Sequence, residues 1–252
     1  MAKKTRTEEK FNYGESIRRL RQTGPQRLYL IWGPEDYLAE QYLAELRRLC
    51  VGDEADDFSY RKLNERDFSA LALAEAIDSV PFLSERSMVE VRGVDLNKLS
   101  ETDEVIKAIS DIPDYCTVVF LCEPRFEPDK RLKLYKAFAK AGVEIHVTAQ
   151  LSDALIKWIV KRFAASGKSI ELNAAQRLIT VSGDIMSGLI PEINKIAAYA
   201  KGEKVTIEDV NAVAHHIPEA VVFDMTESMA RGEYNAAKEK DKFEDDTKLY
   251  EQ

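Results

Sequence analysis

The stretch "RLYLIWGPEDYLAEQ" (Arg27 to Gln41) decides the fold. It opens with a short apolar run and breaks at Gly33–Pro34. It then continues into a pattern that places Leu38, Tyr42, Leu46 and Leu49 at i, i+4, i+8 and i+11, one face of a helix. Pro34, Glu35 and Asp36 suit the first helical turn, where a missing N–H is harmless and negative charge meets the positive end of the helix dipole. Strand, glycine turn and helix is also the order of a phosphate-binding loop. Such a loop needs several glycines to bring backbone N–H groups round the phosphates, with a Lys and a Ser/Thr for phosphate and Mg²⁺. Here Gly33 is followed by a residue without an N–H and by two carboxylates, which repel a triphosphate. The turn reads as a plain strand-to-helix connection. "SGKS" (Ser166 to Ser169) copies the end of a phosphate loop, but position 162 is Arg and a helix pattern precedes it, so it reads as a helix C-cap.

Outward from this unit the same alternation repeats. "FSYRKL" (Phe58 to Leu63), "SMVEV" (Ser87 to Val91), "TVVFLC" (Thr117 to Cys122) and "VEIHV" (Val143 to Val147) are short and rich in β-branched or aromatic residues. "TVVFLC" is continuously apolar, as a central strand covered on both faces must be. Helical patterns lie between the strands, so the first part of the chain is predicted to be α/β, a parallel sheet sandwiched by helices.

Beyond "VTAQLSD" the strand signal stops, and Ala154 to His216 reads as a small all-helical domain. "DALIKWIVKRFAASG" is expected to start behind Ser152 or Asp153 as N-cap and to end at Gly167 as C′ residue. "NAAQRLITVSG" opens with Asn173 and Gln176 in capping-box spacing. "DIMSGLIPEINKIAAYAKG" puts Ile185, Leu189, Ile193, Ile196 and Ala200 on one face. Pro191 predicts a kink or restart there. "TIEDV" opens with Thr206 followed by Asp209. The last stretch, "KEKDKFEDDTKLYEQ", has many charges and little apolar face, and is read as solvated or disordered. The expected divisions are 1–23 as a basic extension, 24–150 as the α/β domain, 151–216 as the helical domain, and 217–252 as the start of a third helical domain with a charged tail.

Composition narrows the function. The chain has 252 residues, 45% hydrophobic and 32% charged, enough for one large or two ordinary domains. Its 36 basic against 44 acidic residues give −8, so nucleic acid is drawn only to a local basic patch or a basic partner. Cys50, Cys116 and Cys122 are too few for a disulfide framework and fit a reduced, cytoplasmic setting. No signal-peptide pattern and no long apolar run is present, so no membrane association is expected.

Positive signals for catalysis are lacking. His146 lies in a strand pattern, and the adjacent His215 and His216 diverge on a helix, a poor arrangement for shared metal ligation. No CxxC pair, no Ser/His/Asp arrangement and no Gly-flanked nucleophile occurs. No catalytic site, cofactor or metal is therefore expected. Two basic clusters stand out: Arg18, Arg19 and Arg21 before the first strand, and Lys157, Lys161 and Arg162 in "KWIVKR". Solvated helix faces are the ordinary reading, and phosphate-backbone contact is the sharper one.

One connection is unusual. In "SVPFLSERSMV" (Ser79 to Val89), Phe82 and Leu83 stand side by side after a proline, between a helix and a strand. They either cover the sheet or are offered to a partner.

Several of these segments, taken in order, resemble the delta-subunit family of bacterial DNA polymerase III, the clamp-loader subunit that opens the sliding clamp. The segments are "LYLIWGPEDYLAEQ", "PFLSERSMVEVRGVD", "TVVFLCEP", "IKWIVKRFAASGKSIELNAAQRLITVSG", "GLIPEINKIAAYAKG" and "VTIEDV", within about Gly24 to Ala236. No one of them is decisive; their order and spacing are. The resemblance implies an AAA+-like first domain without a functional nucleotide site and a helical second domain. Aligned on the following basic residue, Arg86, it makes Phe82 and Leu83 the two bulky residues that plug a hydrophobic pocket on the clamp, with the order reversed from relatives that carry Leu then Phe. It also implies a sliding clamp (beta subunit), the gamma/tau and delta prime loader subunits and primed DNA as partners. The chain would be a non-catalytic subunit of a DNA-directed DNA polymerase holoenzyme, with ATP handled by other subunits. Lys157, Lys161 and Arg162 are the candidate DNA contacts. The family continues with a third, collar domain. "FDMTESMARG" looks like its beginning, but the likeness is lost by "KEKDKFEDD", so a truncated or unrelated end is expected. The competing readings are an AAA+-type nucleotide-binding ATPase and a DNA-binding scaffold.

Overall fold

The computed structural model describes residues 11–52, 59–81 and 84–217. The chain divides into two compact units, Met1–Ala149 and Gln150–Gln252.

In the first unit, α1 (Tyr13–Thr23) precedes β1 (Leu28–Trp32), α2 (Asp36–Val51), β2 (Tyr60–Asn64), α3 (Ala70–Asp78) and β3 (Ser87–Arg92). Then come α4 (Thr102–Ser110), β4 (Cys116–Leu121), α5 (Lys133–Ala141) and β5 (Val143–His146). The strands form one parallel sheet in the order β2-β3-β4-β1-β5. This is the α/β sandwich expected from the alternation, and it puts the apolar "TVVFLC" strand, β4, at the centre. Strand side chains alternate between faces, so each strand feeds two cores. Leu28, Leu30, Val89, Val91, Val118 and Phe120 pack with α3, α4 and α5, where Phe120 meets Phe138 edge-on. The opposite face carries Tyr29, Ile31, Met88 and Val119. Tyr29 meets Tyr42 of α2, and burial raises the hydroxyl pKa of both.

In the second unit, α6 (Ser152–Ala165) and β6 (Ser169–Ile170) are followed by α7 (Leu172–Ser182), α8 (Met186–Tyr199), β7 (Lys204–Val205) and α9 (Ile207–Val213). Leu155, Ile159, Phe163, Leu178, Leu189, Ile193, Ile196 and Val210 are all buried, so each helix turns one apolar stripe inward. Gly167, at φ 73°, closes α6. Its N–H bonds to Ala164 O and that of Lys168 to Phe163 O, the double closure that only a left-handed residue permits. The SGKS stretch is thus a helix end.

Four details differ from the sequence reading. Two short parallel strands, β6 and β7, interrupt the stretch read as wholly helical; a two-residue pair is too short to leave a period in the sequence. The ladder bond from Glu171 N–H to Val205 O holds residue 171 extended, so α7 starts behind Glu171 rather than at Asn173. Likewise α6 starts behind Leu151, without a side-chain cap. Finally, α8 runs on through Pro191 without a restart. A proline there removes only the bond to the carbonyl of Ser187, in the helix's first turn. The Thr206–Asp209 capping box is formed in both directions.

Candidate functional site

The turn after β1 spans only Gly33 to Glu35 before α2 begins. A phosphate-binding loop needs about eight residues in this place. Gly33 has φ 129°, and the backbone of Val147, just past β5, fills the space where a side chain would stand. The N–H of Glu35 points to the carbonyl of Val147, 3.3 Å away, instead of towards a ligand. The turn is therefore stitched to the neighbouring strand.

Beside it lies a cleft of about 200 Å³ at the C-terminal edge of the sheet, lined among others by Trp32, Gly33, Asp36, Glu40, Arg92 and Glu123. Among the described residues Arg92 is the one cation of that lining, and it is fully engaged. It donates to both carboxylate oxygens of Glu40, at 2.5 and 2.9 Å, and through Nε to the buried Glu90. These bonds, that to Glu40 foremost, raise its pKa above the ordinary arginine value. Glu90 also accepts the hydroxyl of Tyr60, whose pKa is raised by burial and then by that carboxylate. With Arg92 neutralised, the cleft keeps the charges of Asp36 and Glu123. Neither the length of the turn nor the sign of the cleft fits a nucleotide triphosphate. The carboxylate–arginine network has no sequence signature, since Glu40, Tyr60, Glu90 and Arg92 come from three separate elements.

The connection between α3 and β3 lies at the opposite, N-terminal edge of the sheet. Phe82 and Leu83 fall outside the described residues. Their flanks are anchored. The hydroxyl of Tyr115 reaches the carbonyl of Asp78 at the end of α3, and Ser84 Oγ donates to the carbonyl of Arg86. The N–H of Ser87 then enters the sheet by bonding Tyr115 O at 2.8 Å. Two apolar side chains that the sequence reading passed over are solvent-facing: Val80 in this connection, at 70% exposure, and Leu71 in the first turn of α3, at the helix's other end, at 69%. Val80 carried a signal, an apolar residue directly before Pro81 at a helix exit.

On α6, Lys157 and Lys161 are exposed one turn apart, opposite the buried stripe of Leu155, Ile159 and Phe163. Arg162 does not join them. It sits about 100° further round the helix, with its guanidinium 5.5 Å from the ring centre of Trp158. The backbone N–H of His215 bonds a Glu192 carboxylate oxygen, and Nδ1 of His216 meets the carbonyl of Ala214. Among the described residues no group of three or more His, Cys, Asp or Glu is arranged to hold a metal ion, and no helix is long and apolar enough to cross a membrane. Burial pushes the thiol of Cys116 up to about 11 and that of Cys122 up to about 12, so neither is a ready nucleophile.

Residues 29–148 match the DNA polymerase III delta-subunit family. The DNA polymerase III subunit delta of Bacillus subtilis is 24% identical over 207 residues, covering 79% of this chain and 59% of that protein. A probable delta subunit of Aquifex aeolicus is 25% identical over 224 residues, covering 84% of this chain and 62% of its own length. The chain thus spans about three fifths of the length of these curated relatives. Among solved structures, the Bacillus subtilis DNA clamp loader delta protein aligns with a TM-score of 0.58 at 20% identity, over 96% of this chain and 73% of that one. The Thermotoga maritima RuvB Holliday junction branch migration motor aligns with a TM-score of 0.55 at 15% identity, over 79% of this chain and 65% of its own. The delta-subunit match spans the whole sheet from β1 to β5, and the structural likenesses show that its fold is AAA+-like.

Proposed function

We propose that this chain is a clamp-loader delta subunit that binds a sliding clamp and opens it during loading onto primed DNA, without hydrolysing ATP itself. The observation that carries this reading is the delta-subunit match over residues 29–148. The short acidic turn at Gly33 and the neutralised Arg92 support the separation from ATP chemistry. That chemistry would belong to partner subunits of the gamma/tau and delta prime kind.

Phe82 and Leu83 are the proposed clamp anchor. The connection that holds them joins the end of α3 to the start of β3, and Val80, exposed within it, adds apolar surface there. A few buried apolar or aromatic residues commonly dominate an interface. Opening follows only from tighter binding to the open than to the closed clamp, because a binder shifts an equilibrium by no more than its differential affinity. Lys157, Lys161 and Arg162 are proposed as contacts to DNA held in the complex, with the first two sharing one exposed face. A cytoplasmic location goes with this role.

The test is binding to the sliding clamp of the same organism, comparing the parent with Phe82→Ala/Leu83→Ala. The double variant is expected to keep its fold and lose at least about 2 kcal/mol of binding. Equal binding by both would remove the anchor, and absence of binding by the parent would remove the clamp reading itself.

A further inference from the structure

The polar atoms that the fold leaves unpaired collect at the N-terminal edge of the sheet. Among the described residues, three buried side-chain atoms have no hydrogen-bond partner: Arg86 Nε, Ser87 Oγ and Thr117 Oγ1. The two hydroxyls have thiol neighbours to turn towards, Ser87 beside Cys116 and Thr117 beside Cys50. The arginine has none. A buried N–H of a charged group without an acceptor is costly, and in a native protein it calls for a reason.

Arg86 belongs to the connection between α3 and β3 and is half-buried. Its side chain turns inwards beneath the edge. Burial raises the pKa of Tyr29 on β1, Cys50 on α2 and Cys116 on β4, and the charge of Arg86 works against that rise in all three. Among the described residues its guanidinium makes neither an ion pair nor a hydrogen bond. The backbone fixes it instead. The Arg86 carbonyl accepts Ser84 Oγ at 2.7 Å, and the next residue enters the sheet through Tyr115 O. A guanidinium is thus held in place and left without an acceptor.

The surroundings decide what that acceptor can be. Asp53, Glu54, Asp56 and Asp57 precede β2, Asp78 ends α3 and Glu85 stands beside Arg86. Such an edge repels a polyanion, nucleic acid included. A backbone carbonyl has no net charge, and the planar fork of an arginine can donate to one or two of them. Val80, exposed in the same connection, supplies apolar contact beside the fork. Arginine next to apolar anchors is typical of the energetic centre of a protein interface.

We propose that Arg86 is a specificity-determining residue for a protein partner that covers this connection, its guanidinium taking backbone carbonyl oxygens that the partner presents. The partner meant is the sliding clamp of the role proposed above, on which this assignment rests.

The experiment measures association and dissociation of the full chain on the immobilised sliding clamp of the same organism, at low and high salt, beside urea unfolding of each variant. The parent is compared with Arg86→Met, which keeps the stem without the fork, and with Arg86→Lys, which keeps the charge. Arg86→Met is expected to unfold at the same urea concentration or a higher one, because an unpartnered buried donor is gone. It should leave the clamp roughly tenfold faster or more, the worth of a hydrogen bond from a charged donor. Arg86→Lys should recover only part of that loss. The loss should be equal at both salt concentrations, since the acceptor is neutral. Binding by Arg86→Met within about twofold of the parent overturns the proposal. So does earlier unfolding of Arg86→Met, which would assign the arginine to the fold. A loss that shrinks at high salt would make the acceptor a carboxylate and overturn the carbonyl contact. If the parent itself does not bind the clamp, the clamp role falls and this assignment with it; a binding parent with an unaffected Arg86→Met sinks this assignment alone.

Discussion

The backbone of Val147 occupies the space that a side chain on Gly33 would need. This one relationship joins the end of β5 to the turn after β1. It accounts for the glycine, for its φ of 129° and for a turn too short to surround phosphate. Gly33→Ala has to move the Val147 backbone and also adopt a conformation that residues with a Cβ rarely hold. A loss of at least about 2 kcal/mol is expected from the two effects. Urea unfolding of parent and variant measures it, and a loss below half that would mean the turn yields easily.

The acidic turn also predicts the response to nucleotide. No saturable binding of Mg-ATP or Mg-ADP is expected in calorimetric titrations of the chain alone. Saturable binding abolished by Arg92→Ala would restore the cleft as a nucleotide site and contradict the neutralised network described above.

Glu45 makes stability depend on acid. Hydrogen bonds from Arg48 and then Arg21 lower its pKa from 4.5 to about 2. Its folded-state pKa is thus below the unfolded value, so the stabilisation is fully present above about 4.5 and is lost as pH falls through about 2. Both arginines are substantially exposed, so solvent screening leaves on the order of 1 kcal/mol. Glu45→Gln should therefore cost about 1 kcal/mol at neutral pH, with the gap to the parent closing as the pH approaches 2. Paired unfolding curves at successive pH values would show whether it closes.

In the second unit, the Thr206 hydroxyl accepts the Asp209 N–H while Asp209 accepts the Thr206 N–H at 2.9 Å. Thr206→Ala should cost about 1 kcal/mol. Amide exchange should speed up first in α9, a helix of only seven residues. Exchange unchanged in α9 would show that its packing through Val210 holds it without the cap.

Much of the architecture was legible because it rests on local patterns. The apolar run of β4 requires cover on both faces, and the structure places that strand at the centre of the sheet. The i, i+4, i+8 spacing of Leu38, Tyr42 and Leu46 marked the buried face of α2. Helix starts were read less well. Asn173 is a good cap by type, yet its side chain only accepts the Ala174 N–H inside the helix. The start was decided by the β6–β7 pairing, which joins residues more than thirty positions apart. Among the proposed sites, the Lys157–Lys161 pair was visible in the spacing. Arg162 stood beside them in sequence but not on their face, because successive helical residues turn by about 100°.

Sequence alone determined the alternation of strands and helices, the acidic Gly33–Pro34–Glu35–Asp36 turn without a phosphate-loop pattern and the run of relatives this chain resembles. All three depend on residue type and short-range order, which the chain carries whatever its tertiary contacts. Tertiary structure alone decided that Val147 closes on Gly33, that Arg92 is held between Glu40 and Glu90, and that Arg47 and Lys62 meet on Tyr60. Each of these joins residues from different elements. Only strand order and helix packing set such distances, and charge and burial act through distance in space.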